Sequence, residues 1–198
     1  MKLEMPSIYL ASSSPRRAEL LTQIGIRFEV IRFSIDETPG RDETPEQYVT
    51  RMSVEKAKEG FRLADGLSQS ALPVLAADTI VVAGDQILGK PDSEQQGLAM
   101  LQCLSGSSHR VITAVTLQRK TGVETVSSDT RVEFRTLKDS EIKAYWDSGE
   151  PRDKAGGYAI QGLGSIFVSH IKGSYSGVVG LPLNETARLL ESAGIHCL

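Results

Sequence analysis

A single carboxylate interrupts a run of nine otherwise uncharged, mostly apolar residues: Val74-Leu75-Ala76-Ala77-Asp78-Thr79-Ile80-Val81-Val82. A run of this length and composition reads as a buried strand. Burying an unpartnered charge is expensive, so Asp78 is expected to be paired, bonded or metal-linked. In α/β folds the ends of strands that face a cleft are common places for catalytic groups. The plainer alternative is an Asp at a strand exit bonded to backbone.

The rest of the chain alternates strand and helix patterns, which predicts an α/β protein. Ser7 to Ala11 reads as a short strand. A helix follows with Ser14 as its cap and Pro15 at its first position, running through Leu20, Leu21 and Ile24 to Gly25. Phe28 to Ile31 is expected to be extended. Thr44-Pro45-Glu46-Gln47 forms a capping box that opens a helix reaching about Ala64. Gly84-Asp85 turns the Asp78 strand back through Ile87-Leu88. Ser93 with Gln96 makes a second capping box, for a helix ending near Gly106. Arg110–Leu117 and Glu124–Phe134 read as strands joined at Thr121-Gly122. A helix spans Asp139 to Asp147, then a glycine-rich stretch runs from Gly156 to Gly164. A strand over Ser165–Ile171 and a helix over Leu183–Ser192 close the chain.

The formal net charge is -3 over 198 residues, which argues against a dedicated nucleic-acid binder. No apolar run approaches the ~20 residues of a membrane helix. Met1 to Ser7 holds no charged region followed by an apolar one, so no signal peptide and a cytoplasmic location are expected. Cys103 and Cys197 form no CxxC pair, and the expectation is a buried thiol and a tail thiol. His109, His170 and His196 lack metal-ligand spacing. GxSxG, GxGxxG and a Walker loop are all absent. What remains is basic groups for phosphate, with acids for metal and water.

Ser12-Ser13-Ser14-Pro15-Arg16-Arg17 lies where a strand gives way to a helix. The first turn of a helix has unpaired N–H donors and partial positive charge, so it attracts anions. Hydroxyls add donors, and the guanidinium fork fits phosphate oxygens. A Ser cap followed by two solvated arginines is the alternative. Plotted at about 100° per residue, Val49, Met52, Ala57, Leu63 and Ala64 make one apolar arc, with Arg51, Glu55, Lys58 and Arg62 opposite. Lys56 falls near the middle of that arc. It is either a snorkelling lysine or one that reaches a ligand phosphate.

Asp36-Glu37 follows an apolar strand in a loop. These acids are either solvated or hard oxygen ligands for magnesium or manganese. Lys90, in Gly89-Lys90-Pro91, is a turn lysine or a point charge for phosphate. Asp153-Lys154 precedes four glycines, Gly156, Gly157, Gly162 and Gly164, which permit close backbone approach to a ligand. The Gln161 amide within that stretch is able to read a base edge.

Taken together, these segments resemble the Maf family of nucleoside triphosphate pyrophosphatases. The match lies in Leu10-Ala11-Ser12-Ser13-Ser14-Pro15-Arg16-Arg17-Ala18-Glu19-Leu20-Leu21, Ile35-Asp36-Glu37, Glu55-Lys56-Ala57 and Ala77-Asp78-Thr79. It continues through Gly89-Lys90-Pro91, Asp153-Lys154-Ala155-Gly156-Gly157-Tyr158, Ile160-Gln161-Gly162 and Val179-Gly180-Leu181-Pro182. The resemblance covers nearly the whole chain. It implies one Maf-like domain over residues 1–198, an elongated mixed sheet with flanking helices, two lobes around a deep cleft, and a fold like that of inosine triphosphatase.

The resemblance further implies hydrolysis of a nucleoside triphosphate to monophosphate and pyrophosphate with a divalent metal, Mg, Mn or Co. Asp78 is then the base that prepares water. Glu37, with Asp78, is the metal ligand. Ser12, Ser14, Arg16, Arg17, Lys56, Lys90 and Lys154 hold the triphosphate. Arg16, Thr79 and Gln161 resemble the branch acting on dTTP and UTP, whereas the 7-methyl-GTP branch has an extra aromatic before the arginines and Gln after the Asp. A possible homodimer is also implied. Two alternatives stay open: a house-cleaning enzyme for 5-methyl-UTP or pseudo-UTP, and a non-catalytic regulator of septum formation.

Overall fold

The computed structural model describes residues 6–66 and 72–197. The expectation about a signal peptide falls largely on residues 1–5, outside the described residues. Among the described residues no helix is long and apolar enough to cross a membrane.

Among the described residues, seven strands and six helices form a mixed α/β fold. Strands β1 (Ile8–Ala11), β2 (Phe28–Ile31), β3 (Val74–Ala83), β4 (Gln86–Leu88), β5 (Ser108–Arg119), β6 (Gly122–Phe134) and β7 (Val168–Lys172) make one sheet. Its order is β2-β1-β3-β5-β6-β7, with β4 paired to β3. The helices are α1 (Pro15–Gln23), α2 (Pro45–Ala64), α3 (Glu94–Leu104), α4 (Asp139–Asp147), α5 (Tyr175–Val179) and α6 (Leu183–Glu191). The chain divides into two compact units. One takes in the described residues up to Asp78, with Thr113–Ser128 and the residues from Gly180 onward; the other holds Thr79–Ile112 and Asp129–Val179.

In the first unit β1 runs parallel to both β2 and β3, with Tyr9 opposite Val74 and Leu10 opposite Leu75. β1 is buried throughout and β3 nearly so, as expected of parallel strands covered on both faces. Side chains alternate along a strand, so Val74, Ala76 and Asp78 share a face. Val74 and Ala76 pack with Tyr9, Ala11, Ala57 and Ala64 in one apolar cluster. That face of the sheet therefore lies under α2. The helix comes close because residue 60 is Gly: a Cβ there would stand 2.7 Å from the Ala11 Cβ and 3.0 Å from Val74 Cγ1.

α2 begins as its local chemistry dictates. The Thr44 hydroxyl accepts from the Gln47 amide at 3.3 Å, and Gln47 Oε1 accepts from the Thr44 amide at 2.9 Å. α1 ends at Gly25, whose φ of +75° suits the turn that closes it. In the second unit β3 pairs antiparallel with β4, and β6 with β7.

Several expectations need correction. Ser14 occupies the N-cap position of α1, but its side chain caps nothing; its amide instead donates to Ser12 Oγ at 3.2 Å. Ser93 accepts from the Gln96 amide, whereas Gln96 Oε1 takes the Asp92 amide at 2.6 Å, so only half the second capping box forms as drawn. The strand expected from Ser165 starts at Val168, because Leu163–Phe167 coils into a 3-10 turn. Two further 3-10 turns, Glu150–Asp153 and Ala155–Gly157, occupy the lead-in and glycine-rich stretch, and α5 adds a short helix between the last strand and the last long helix. Cys103 is exposed rather than buried, since it lies on the face of α3 away from Met100, Leu101 and Leu104.

Candidate active site

Lys56 sits on the apolar arc of α2, and Asp78 lies on the face of β3 that this helix covers. Their meeting follows from that packing. Lys56 Nζ lies 2.7 Å from Asp78 Oδ1 and 2.6 Å from Glu37 Oε1. Asp78 is 8% exposed, so the ammonium compensates a carboxylate that water barely reaches. The Glu37 side chain is half-exposed.

The loop bearing Glu37 is tied to α2. Tyr48 donates its hydroxyl to the Glu37 carbonyl at 2.8 Å. Arg51 donates to the Thr38 carbonyl at 3.1 Å and forks onto Glu43, Nε to Oε1 and Nη2 to Oε2, both at 2.7 Å. Asp36 Oδ1 accepts from the Thr38 amide at 2.9 Å and its hydroxyl at 2.6 Å. Asp36 thus shapes the turn that follows Glu37. Arg51, with the Gly40 amide, holds the Glu43 carboxyl down to about 2. Burial, with the charges of Asp78 and Glu37, pushes the Tyr48 hydroxyl up to about 12, so it stays a donor.

Arg17 projects from the first turn of α1. Its Nε donates to the Gly180 carbonyl at 2.9 Å and its Nη1 to Ser12 Oγ at 3.3 Å. Burial lowers its pKa; Asp78 and Glu37 oppose that shift and Arg16 adds to it. Arg17 is therefore within electrostatic reach of both acids. β1 stops at Ala11 whereas β3 continues beyond Asp78. The Ser12–Arg17 segment begins at the carboxyl end of a parallel strand, where α/β folds bind ligands.

The first unit thus gathers Ser12, Arg17, Glu37, Lys56 and Asp78. Ser14 and Arg16 are half-buried in the same segment. Thr79 follows Asp78 on the other face of β3. In the second unit, Lys90 is exposed after β4. Lys154 is paired with Asp153. The loops of these two lysines lie side by side, since the Gly156 amide donates to the Gly89 carbonyl at 3.0 Å. Gln161 is exposed. Among the described residues no group of three or more His, Cys, Asp or Glu could hold a metal. Two carboxylate oxygens do converge on one cation, the Lys56 ammonium. Sequence reasoning passed over Tyr48, Arg51 and the Gly180 carbonyl. By periodicity Arg51 falls on the polar face of α2, and nothing local in the sequence reveals that it clasps the Glu37 loop.

This chain belongs to the Maf family: the family model described as Maf-like protein matches residues 7–193. It is 51% identical over 187 residues to the dTTP/UTP pyrophosphatase of Alkalilimnicola ehrlichii, covering 94% of this chain and 92% of that one. It is 52% identical over 184 residues to the dTTP/UTP pyrophosphatase of Pseudoalteromonas atlantica, covering 93% and 95%. The protein of the same name from Methylobacillus flagellatus is 49% identical over 195 residues, covering 98% and 96%.

Proposed function

We propose that this protein is a nucleoside triphosphate pyrophosphatase that hydrolyses dTTP and UTP to the monophosphate and pyrophosphate. The observation that carries this reading is the Lys56 ammonium held between Asp78 and Glu37, with the half-buried Arg17 fastened to Gly180 and Ser12 in the same unit. Relatives of about half-identical sequence bear the name dTTP/UTP pyrophosphatase, which supports the substrate.

Asp78 takes a proton from water as the water oxygen attacks the α-phosphorus. The bond from that phosphorus to the bridging oxygen breaks, and pyrophosphate leaves with the electron pair. Arg17 neutralises phosphate charge, its guanidinium oriented by Gly180 and Ser12. Lys56 exchanges a carboxylate for a phosphate oxygen when the substrate enters. Arg16, Ser14, Lys90 and Lys154 add donors and charge along the triphosphate, and Arg16, Thr79 and Gln161 select the base. Most of the barrier in phosphoryl chemistry falls to positioning and charge neutralisation of this kind.

Glu37 and Asp78 fit a hard divalent cation such as Mg²⁺, Mn²⁺ or Co²⁺, because two carboxylate oxygens already meet at one positive centre and such ions take their remaining ligands from water and phosphate. Bound there, the ion supplies charge neutralisation and a more acidic water.

The test is a panel assay. Purified protein with each of these metals is offered canonical and modified triphosphates, and monophosphate and pyrophosphate are quantified. Preference for dTTP and UTP is expected. Absence of pyrophosphate from every substrate overturns the enzyme reading, and a preference for purines overturns the base assignment.

A further inference from the structure

Gln161 is exposed on the chain between Ala159 and Gly164, and a lone exposed amide selects a base only if its backbone is held still. The hold comes from one side chain that the proposed chemistry does not use. Glu150 opens the 3-10 turn after α4, where Gly149 at φ +80° reverses the chain. Its Oε1 accepts from the Tyr145 hydroxyl at 2.7 Å and from the Gly164 amide at 3.0 Å, and its Oε2 accepts from the Leu163 amide at 2.9 Å. The Tyr145 hydroxyl in turn accepts from the Ala159 amide at 3.0 Å. Both ends of the Gln161 segment are therefore fastened to residues five apart in sequence, Tyr145 and Glu150.

The fit leaves no room for a side chain at Gly162 or Gly164. A Cβ at Gly162 would stand 2.1 Å from Glu150 Oε2, and one at Gly164 would stand 2.7 Å from the Tyr145 hydroxyl and 2.9 Å from the Ala159 carbonyl. Between them the Gly162 amide donates to the Ala159 carbonyl at 3.3 Å, closing the turn that carries Gln161. Tyr145 is itself immobilised, 4% exposed with its ring edge-on to Phe167 at 4.9 Å. Burial pushes the Glu150 carboxyl up, but the amides of Gly164 and Leu163 and the Tyr145 hydroxyl outweigh it, so the group stays ionised at neutral pH. A carboxylate that spends its oxygens on backbone amides and one tyrosine is a brace.

We infer that Glu150, supported by Tyr145, is the positioning residue that fixes the Gln161 turn for recognition of the nucleobase. The inference rests on the proposed role of Gln161 in base selection. The experiment measures kcat and KM for dTTP, UTP, dCTP, dATP and dGTP in the full-length protein and in Gln161→Ala, Glu150→Gln, Tyr145→Phe and the double variant Glu150→Gln/Gln161→Ala.

Loss of Gln161 should lower the preference for dTTP over dATP by about fivefold, one hydrogen bond's worth. Glu150→Gln should lower it similarly, chiefly through KM, and should add nothing further in the double variant. Unchanged preference in Gln161→Ala overturns the reading of Gln161 and this inference with it. A loss in Gln161→Ala with full preference in Glu150→Gln overturns the positioning role alone. Additive losses in the double variant overturn it too. If Glu150→Gln lacks a cooperative melt, Tyr145→Phe, which removes the acceptor for the Ala159 amide, reads the same ratio and decides the outcome.

Discussion

Lys56 and Asp78 stand 22 positions apart in sequence, yet the lysine Nζ lies 2.7 Å from the aspartate Oδ1 and 2.6 Å from Glu37 Oε1. The ammonium occupies the one point where both acids meet. Asp78→Asn keeps the shape of the side chain and removes its ability to take a proton. If Asp78 is the base, kcat should fall by about 10²–10⁴-fold, measured by pyrophosphate release with melting followed in parallel. Full activity in a folded Asp78→Asn protein would remove it from that role.

Tyr48 and Arg51 hold the backbone of Glu37 and Thr38 without touching the substrate groups. Tyr48→Phe loses the hydrogen bond to the Glu37 carbonyl. Arg51→Lys cannot both fork onto Glu43 and reach Thr38. Each change should raise the Mn²⁺ concentration for half-maximal rate by about fivefold, the equivalent of one hydrogen bond, with the rate at saturating Mn²⁺ little altered. Titration of Mn²⁺ by its paramagnetic resonance signal checks the binding without relying on turnover. An unchanged titration in both variants would separate this clasp from the metal.

His109 bonds through Nε2 to the Tyr158 hydroxyl at 2.9 Å and packs edge-on to Phe134 and Tyr158. Burial lowers its pKa to about 4. A buried base that resists protonation leaves the unfolded chain holding more protons on acidification, so stability falls as pH drops through the window from about 6.5 to about 4. Between pH 7 and pH 5 that loss should be about 2 kcal/mol. His109→Gln keeps a partner for Tyr158 but does not titrate, so urea melts should display a shallower pH dependence than in the parent protein. Identical slopes would refute the assignment.

Gly60 tests how tightly α2 lies on the sheet. Alanine is the better helix former by about 1 kcal/mol, but its methyl would meet the Ala11 Cβ at 2.7 Å. Overpacking against a buried strand costs about 1–3 kcal/mol, and Ala11 has no flexible end to yield. Gly60→Ala should therefore destabilise the protein despite the gain in propensity, with a lower midpoint in chemical denaturation.

Much of the scaffold is local chemistry and therefore legible. Thr44 and Gln47 satisfy each other within one turn, and Gly25 stops α1 by its own backbone freedom. The start of α2 follows from its capping box and its buried face from periodicity. Legibility fails where distant atoms decide. Leu163–Phe167 coils where Glu150, 13 and 14 positions back, captures the amides of Leu163 and Gly164. Cys103 is exposed because packing selected the Met100–Leu104 face of α3.

The same division runs through the site. Apolar neighbours on β3 and α2 made Asp78 and Lys56 conspicuous one at a time, because a charge in an apolar pattern is costly wherever the chain goes. Their pairing was not legible. It required α2 to lie on the Val74–Ala76–Asp78 face of β3, an approach that Gly60 permits. Hydrophobic periodicity reports which face of an element is buried; it carries no information about which buried face it will meet. Charge and pattern thus singled out Asp78 and Lys56, while long-range packing set the 2.6–2.7 Å distances that join Glu37, Lys56 and Asp78 into one cluster.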